Sequence, residues 1–270
     1  MTRPTLPPVR YALLAVLVPL LAACNPDTSA WTSGKAAPAT PSSGEAGYIA
    51  PPRITGVFVG SDRLTLTGSA RASSRVRLGP PAGEATFATA DSAGAFTVVL
   101  PRSADVRLFG LSMAVGDRAV QSEGYLMVLP DGQLLQLRAG GGAWSLAPAS
   151  PQPRLLTVDH DGEGGAIISG SAPANAQVSA RIDRSTVAGG KSGPDGHFDI
   201  ALSEPLRPGP HSIDLVADSG RDSLTVPISR AEPLLNPFRG QRTDFGWRVD
   251  WMTPAGGIQT TLVFDRGGQP

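Results

Sequence analysis

Cysteine and lysine are almost absent from this chain of 270 residues. Its one cysteine is Cys24 and its two lysines are Lys35 and Lys191, so arginine supplies nearly all of the 23 basic side chains. A single cysteine excludes a disulfide within the chain, and its domains must therefore be stabilised by packing. Because 23 acidic side chains balance the basic ones, the sequence indicates no nucleic-acid partner, which would need a concentrated basic face.

Long helical patterns are also lacking, because no stretch of the chain after its N-terminal segment has a convincing helical period. Glycine and proline are abundant instead, with 32 and 26 residues. Together they form over a fifth of the chain, against roughly 12% in average proteins. This composition argues against a helical bundle and predicts an all-β chain with about two domains of ordinary size.

Residues 1–23 have the pattern of an export signal peptide. Arg3 and Arg10 precede an apolar run at residues 11–23, which is shorter than the ~20 residues that a membrane-spanning helix needs. The run ends in Leu-Ala-Ala-Cys24, which resembles the lipobox of bacterial lipoproteins. In that family the cysteine sulfur receives a diacylglycerol, the preceding peptide bond is cut, and the new amine is acylated. The resemblance implies lipidation at Cys24; an incidental free cysteine after an ordinary signal peptide is the alternative.

A lipid anchor at Cys24 would attach the exported protein permanently to a membrane, since each buried methylene contributes about 0.8 kcal/mol. Asn25 stands where an aspartate would resemble an inner-membrane retention signal, so we expect the outer membrane, on its periplasmic or surface face. Residues 24–51 are rich in Ala, Pro, Ser, Thr and Gly. They predict a disordered, flexible tether that reaches roughly 30 Å.

From residue 52 onward the sequence repeats itself once. The motif Gly-Ser-Ala begins at Gly68 and returns at Gly170, and Phe96 returns as Phe198 at the same offset of 102 residues. A period of this length suits one complete β-sandwich. The sequence therefore predicts two tandem domains joined by residues 148–152: repeat 1, residues 52–147, and repeat 2, residues 153–266.

Short alternating segments separated by turn residues predict strands in both repeats, as at residues 63–67, 75–78, 177–182, 212–216 and 223–226. In repeat 2, the segment 170–178 followed by Asp195-Gly196-His197-Phe198 resembles bacterial Ig-like domains, as does the segment 208–213. The resemblance extends over roughly half of repeat 2 and is fainter in repeat 1. It implies two tandem Ig-like β-sandwiches that act as extracytoplasmic spacing or adhesion modules.

Each repeat ends in a predicted hairpin, at residues 125–137 in repeat 1 and 247–263 in repeat 2. In the second hairpin Trp247 and Trp251 share one face of a strand, whereas Arg248 and Asp250 share the other. The two tryptophans and Arg248 are candidate ligand-binding residues, because flat aromatic rings stack on sugars. The alternative, which the pattern favours, is that the tryptophans face the sandwich core and the charged pair faces water.

Few residues are suited to catalysis. The three histidines, His160, His197 and His211, are scattered, and neither a zinc motif nor a Gly-x-Ser-x-Gly elbow is present. We therefore predict no catalytic residue and no cofactor.

An acidic loop containing Asp159, Asp161 and Glu163 is a weak candidate for calcium binding, because calcium prefers hard oxygen ligands. The loop lacks the ligand spacing of an EF-hand. An ordinary exposed loop is the favoured interpretation.

Taken together, these patterns predict a lipid-anchored envelope protein with a non-catalytic binding or structural role. Its partner is expected to be another envelope protein or a glycan. A glycan- or peptidoglycan-binding module that uses Trp247 and Trp251 is the first alternative, and a hydrolase is the second.

Overall fold

A computed structural model describes residues 48–265, apart from the side chains of Thr186 and Val187. The predicted signal peptide, Cys24 and most of the predicted tether lie outside the described residues. Residues 49–265 belong to one compact unit. Within the described range no helix is long and apolar enough to cross a membrane.

The described chain is all-β, with strands and no helices. The strands of repeat 1 are β1 (Arg53–Val59), β2 (Arg63–Ser69), β3 (Arg75–Gly79), β4 (Thr86–Thr89), β5 (Ala95–Pro101), β6 (Arg107–Val115), β7 (Arg118–Gln121), β8 (Tyr125–Val128), β9 (Leu134–Leu137) and β10 (Trp144–Ser145). Those of repeat 2 are β11 (Arg154–Asp161), β12 (Ala166–Ser171), β13 (Gln177–Ile182), β14 (Ser185–Lys191), β15 (His197–Ala201), β16 (Gly209–Ala217), β17 (Gly220–Ile228), β18 (Phe238–Thr243), β19 (Gly246–Met252) and β20 (Ile258–Phe264).

Antiparallel pairing arranges these strands in four sheets. Sheet A has the order β1-β2-β5, and sheet B has the order β10-β9-β8-β6-β3-β4, with β7 paired to β6. Sheet C has the order β15-β12-β11-β20-β19-β18, and sheet D has the order β14-β13-β16-β17. Sheets A and B belong to repeat 1, whereas sheets C and D belong to repeat 2.

Three apolar cores separate the four sheets into layers. One core lies between sheets A and B and includes Leu66, Phe96 and Val128. A second lies between sheets C and D and includes Ile168, Phe198 and Leu215. The third, which we call the junction core, lies between sheet B and sheet C. The all-β, sandwich-like prediction is confirmed, while the division into two domains at residues 148–152 stays a prediction.

The repeated residues Gly68 and Phe96 face each other across strands β2 and β5. The phenylalanine ring lies over the glycine, where a β-carbon would overlap both the ring and the carbonyl of Arg53. Gly170 and Phe198 form the same pair across β12 and β15. The glycine and the phenylalanine recur in the sequence because each sandwich needs a residue without a side chain beneath the phenylalanine ring.

The terminal hairpins are both present, but they join different sheets. In repeat 1, β8 pairs with β6, so the hairpin β8–β9 extends sheet B. In repeat 2, β20 pairs with β11, so the hairpin β19–β20 extends sheet C. Each hairpin therefore widens the sheet that faces the other repeat.

Candidate binding site at the junction of the repeats

The junction core is built mainly by the two terminal hairpins. Repeat 1 contributes Val106, Leu108, Met127, Leu129, Leu135, Leu137 and Ala143, and repeat 2 contributes Val249, Trp251 and Val263. Trp251 is fully buried, and its ring meets that of Tyr125 edge-on with 5.7 Å between the centroids. The hairpin β8–β9 also packs on sheet A through Leu126 and Leu134, so both of its faces are covered.

The structure places both candidate tryptophans against the junction core. Trp251 donates a hydrogen bond from Nε1 to Thr261 Oγ1 at 3.1 Å. Trp247 is half-buried, and the guanidinium carbon of Arg242 lies 5.4 Å from its ring centroid. The core that holds Trp251 lies between the repeats, and not inside the sandwich of repeat 2 as the sequence favoured. A sugar ring has no access to Trp251 in this arrangement.

The expectation that Arg248 and Asp250 face water was wrong. Asp250 is fully buried, and its carboxylate accepts hydrogen bonds from Arg248 Nε (2.9 Å), Arg239 Nη2 (2.7 Å) and Thr260 Oγ1 (2.7 Å). Arg248 also donates to the Ser229 carbonyl at 3.2 Å. The prediction from the two-residue alternation took one face of the strand to be exposed to solvent. Sheet C is instead covered by sheet D on one face and by repeat 1 on the other. Two arginines compensate the buried carboxylate instead.

A second buried carboxylate, Asp159, binds the segment 138–143, which we call the junction loop. The Asp159 oxygens accept hydrogen bonds from Ala143 N (3.0 Å), Thr157 Oγ1 (3.3 Å), Gln259 Nε2 (3.3 Å) and Thr261 Oγ1 (2.5 Å). Because Ala143 belongs to repeat 1 and the other donors to repeat 2, this carboxylate joins the two repeats.

Gln259 and Asp199 also bind the junction loop. Gln259 Oε1 accepts from Gly140 N at 2.9 Å, and its Nε2 donates to the carbonyls of Arg138 (3.3 Å) and Gly141 (3.2 Å). The Arg138 guanidinium forms an ion pair with Asp199. Side chains of repeat 2 thus satisfy the backbone of a loop that belongs to repeat 1.

Burial raises the pKa of Asp159 to about 6, from an ordinary value of 3.8. The hydrogen bonds from Thr261, Ala143, Gln259 and Thr157 favour the ionised carboxylate, but they offset the loss of hydration only in part. The charge at the junction therefore changes within the mildly acidic pH range.

The calcium candidates Asp159, Asp161 and Glu163 do not converge. The Asp159 carboxylate points into the junction, whereas Asp161 Oδ1 accepts from the backbone N–H groups of Glu163 and Gly165, each at 2.9 Å. Asp161 therefore closes its own turn, and Glu163 is exposed. Among residues 48–265, no group of three His, Cys, Asp or Glu side chains is placed to hold a metal ion.

The three histidines have different surroundings. His160 is buried, which lowers its pKa, and its Nε2 has no hydrogen-bond partner among the described residues. The ring of His197 lies 5.0 Å from that of Trp144, and His211 Nδ1 lies 2.7 Å from Asp183 Oδ2. Nothing in these contacts assembles a nucleophile with a base.

An open groove of about 350 Å³ lies beside the junction core, and we call it the junction groove. Gly79 and Gly110 face each other across β3 and β6 and form part of its floor, and the side chain of Arg77 lies over Gly79. Its lining includes Arg77, Ser112, Gln121 and Tyr125 from repeat 1 and Pro237, Met252 and Thr253 from repeat 2. Both repeats are therefore needed to form it.

The junction groove combines a cation with neutral polar and apolar groups. Arg77 is an exposed residue whose guanidinium lies across Gly79, and no acidic side chain among residues 48–265 pairs with it. A free guanidinium binds carboxylates through two parallel hydrogen bonds. Clefts with a few converging polar groups on an apolar surface are typical ligand sites.

Sequence reasoning missed this groove. The only signal was Gly110, an isolated glycine among the apolar residues of β6, since such a glycine marks close approach of another group. Gly79 follows the predicted strand 75–78 and ends β3. That the two glycines face each other depends on the pairing of β3 with β6, which the sequence does not specify.

No protein-family model matches this sequence, and no curated protein matches it. Among solved structures, the chain is similar to one described as "Biofilm associated protein - BSP domain", with 12% identity and a TM-score of 0.23. The alignment spans 68% of this chain and 30% of that one. A similarity at this level carries neither fold nor function from one protein to the other.

Proposed function

We propose that this chain is an exported, lipid-anchored envelope protein with a non-catalytic binding role, and that the junction groove is its ligand site. The observation that carries the proposal is the groove itself, which both repeats line beside a sealed apolar core. Binding groups are most effective when rigid packing holds them in place.

The two buried carboxylates have structural roles. Asp159, at the junction, and Asp250, on the opposite face of sheet C, both accept hydrogen bonds from neighbouring protein groups. Arg77, in contrast, is an exposed residue, and no acidic side chain among residues 48–265 pairs with its guanidinium. The group left free for a ligand is thus in the groove.

A glycan that carries carboxylates is the ligand class that suits these groups. Arg77 would pair with a carboxylate, while Ser112, Gln121 and Thr253 would exchange hydrogen bonds with hydroxyl groups. Tyr125 and the exposed Met252 offer apolar surface for the sugar rings. Peptidoglycan is the envelope polymer with this chemistry that we propose as the partner.

Titration with a soluble peptidoglycan fragment tests the site. We expect Arg77→Gln to weaken binding roughly tenfold, the equivalent of one charge-assisted hydrogen bond. Arg75→Gln is the matched control, because Arg75 lies two residues away on β3 and stacks on Phe87, 4.0 Å from the ring centroid. Equal loss in both variants, or binding that persists after Gly110→Val fills the groove floor, would contradict the proposal.

Membrane fractionation tests the anchor at Cys24. We expect the wild-type protein in the membrane fraction, and Cys24→Ser either released from membranes or retained as an uncut precursor. Radiolabelled fatty acid should appear in the wild-type protein only. A mature, soluble wild-type chain with a free thiol would refute lipidation.

A further inference from the structure

Strand β1 is an edge of sheet A, whereas its counterpart in repeat 2 is an interior strand. Both β1 and β11 have a bulge just after the residue that faces the repeated glycine. Aligning the two bulges equates Ile54 with Leu155 and Phe58 with Asp159. The two strands can therefore be compared residue by residue.

In repeat 2, strand β20 runs antiparallel along β11, with Asp159 opposite Thr261. In repeat 1 the terminal hairpin joins sheet B, and no strand among residues 48–265 pairs with the free side of β1. The opposite edge of sheet A, strand β5, has β4 alongside it. The free side of β1 in repeat 1 thus corresponds to the side of β11 that pairs with β20 in repeat 2.

The open edge carries exposed apolar side chains. Phe58 is 72% exposed and Val59 is 43% exposed. Phe58 also begins a row that continues through Thr65 to Val99 on the outer face of sheet A. Natural sheet edges are protected by charges, proline or bulges. The bulge of β1 lies at its Ile54 end, and from Gly56 to Val59 the strand has neither a charge nor a proline.

We propose that a second copy of this chain pairs with the first through β1, antiparallel and with two-fold symmetry. Sheet A of each copy then becomes half of one six-stranded sheet in the order β5-β2-β1-β1-β2-β5. The contact uses the same surface on both copies, as closed symmetric dimers do. Backbone hydrogen bonds along the edge supply affinity, and the side chains on alternate positions supply specificity.

Charge and shape select a register in which the two copies of Val57 face each other. Arg53 then lies beside the residue 61–62 segment of the second copy, where the exposed Asp62 carboxylate pairs with Arg63 of its own chain at 3.1 Å through Oδ2 and can accept a further hydrogen bond. Among residues 48–265, Arg53 has no acidic partner of its own, and its Nε donates to Ser69 Oγ at 3.0 Å. Antiparallel self-pairing thus joins opposite charges at both ends of the strand.

The same register sets Phe58 opposite Gly56 of the second copy. An aromatic ring that covers a glycine on the neighbouring strand is already the recurring pair of this fold, at Gly68 with Phe96 and at Gly170 with Phe198. Such pairs shield exposed strand backbone. Burial of both Phe58 rings would remove the largest exposed aromatic surface of sheet A.

Sedimentation equilibrium of the full chain carrying Cys24→Ser tests this dimer without interference from the lipid. We expect twice the monomer mass, and we expect Phe58→Lys to weaken dimerisation about thirtyfold, as the loss of a central interface residue does. Leu235→Lys is the matched control, because Leu235 is fully exposed outside any strand. Both variants should melt as the parent does. A monomeric parent, or a dimer that Phe58→Lys leaves intact, overturns the proposal.

Cross-linking tests the register. The Cys24→Ser background has no other cysteine, so Val57→Cys places one thiol on each copy at the two-fold axis. Residues facing each other in antiparallel strands have α-carbons ~4.5–5.5 Å apart, within the range of a disulfide. Mild oxidation should yield covalent dimers of Val57→Cys and none of Val99→Cys, whose residue lies on β5. Equal cross-linking at the two positions would overturn the proposed contact.

Discussion

The hairpin β8–β9 extends sheet B and the hairpin β19–β20 extends sheet C, so two segments at the same place in each repeat lie on opposite sides of their sandwiches. Strands β1 to β7 correspond closely to β11 to β17, down to the bulges in β1 and β11 and the Gly–Phe pairs that follow them. The hairpins alone decide which sheets meet.

This difference separates what holds each sandwich together from what joins the two. The repeated residues stabilise each sandwich from inside, whereas Trp251, Asp159 and the junction loop act between sandwiches. Substitutions at the two kinds of position should therefore have different signatures. Three of them test the contribution of the junction, in order of decreasing expected effect.

Trp251→Ala should have the largest effect. It removes the largest side chain of the junction core together with its hydrogen bond to Thr261, and we expect a loss of about 3–5 kcal/mol in the free energy of unfolding. Trp247→Ala, at a half-buried position of the same strand, is the control and should cost less. Denaturant titration of the full chain carrying Cys24→Ser measures both. A loss for Trp251→Ala no larger than that for Trp247→Ala would contradict a central role of Trp251 in the junction core.

The raised pKa of Asp159 should make the junction weaker above pH 6 than below pH 4. Its folded pKa of about 6 exceeds its ordinary value of 3.8, so folding favours the protonated acid. The stabilising contribution is complete below about pH 4 and is lost as pH rises to about 6, with a magnitude of about 3 kcal/mol.

Asp159→Asn should remove this component of the pH dependence. The free energy of unfolding, measured at pH 4 and at pH 7, should fall by about 3 kcal/mol less in the variant than in the parent chain. Asp161→Asn, on the exposed neighbouring carboxylate, is the control. A variant with the pH profile of the parent would show that Asp159 does not titrate in this way.

Gly142→Ala should have the smallest effect of the three. A β-carbon at Gly142 would overlap Ser169 Oγ and crowd the Asp199 carboxylate, so the junction loop must shift away from sheet C. Overpacking of this kind costs about 1–3 kcal/mol. Gly162→Ala is the control, because a β-carbon there meets nothing within 4 Å. Thermal unfolding compares the two, and equal melting temperatures would argue against close docking of the loop.

The sequence predicted strands β2, β3, β13, β16 and β17 and both hairpins, because their signals are local. The alternation at residues 177–182 corresponds to β13, and the predicted hairpins correspond to β8–β9 and β19–β20. The repeated Gly68 and Phe96 indicated a sandwich core, and the structure adds the reason for their pairing.

The contact between the two repeats was not predicted, because it depends on which sheet each hairpin joins. Periodicity places Trp251 and Asp250 on opposite faces, but it does not say that both faces are covered. One signal was present in the unbroken apolar run from Leu126 to Leu129, since a strand without alternation is typically buried on both faces. The Asp159 contacts combine residues 143, 157, 259 and 261, a set that no local pattern brings together.

The two covered faces of the hairpin β8–β9 also bear on how such a protein can evolve. Domains that fold independently are readily duplicated, deleted or exchanged between genes. Repeat 1 is not independent in this sense, because without repeat 2 it would expose Met127, Leu135 and Leu137 to water. We therefore expect a gene that has lost either repeat to encode an aggregation-prone product.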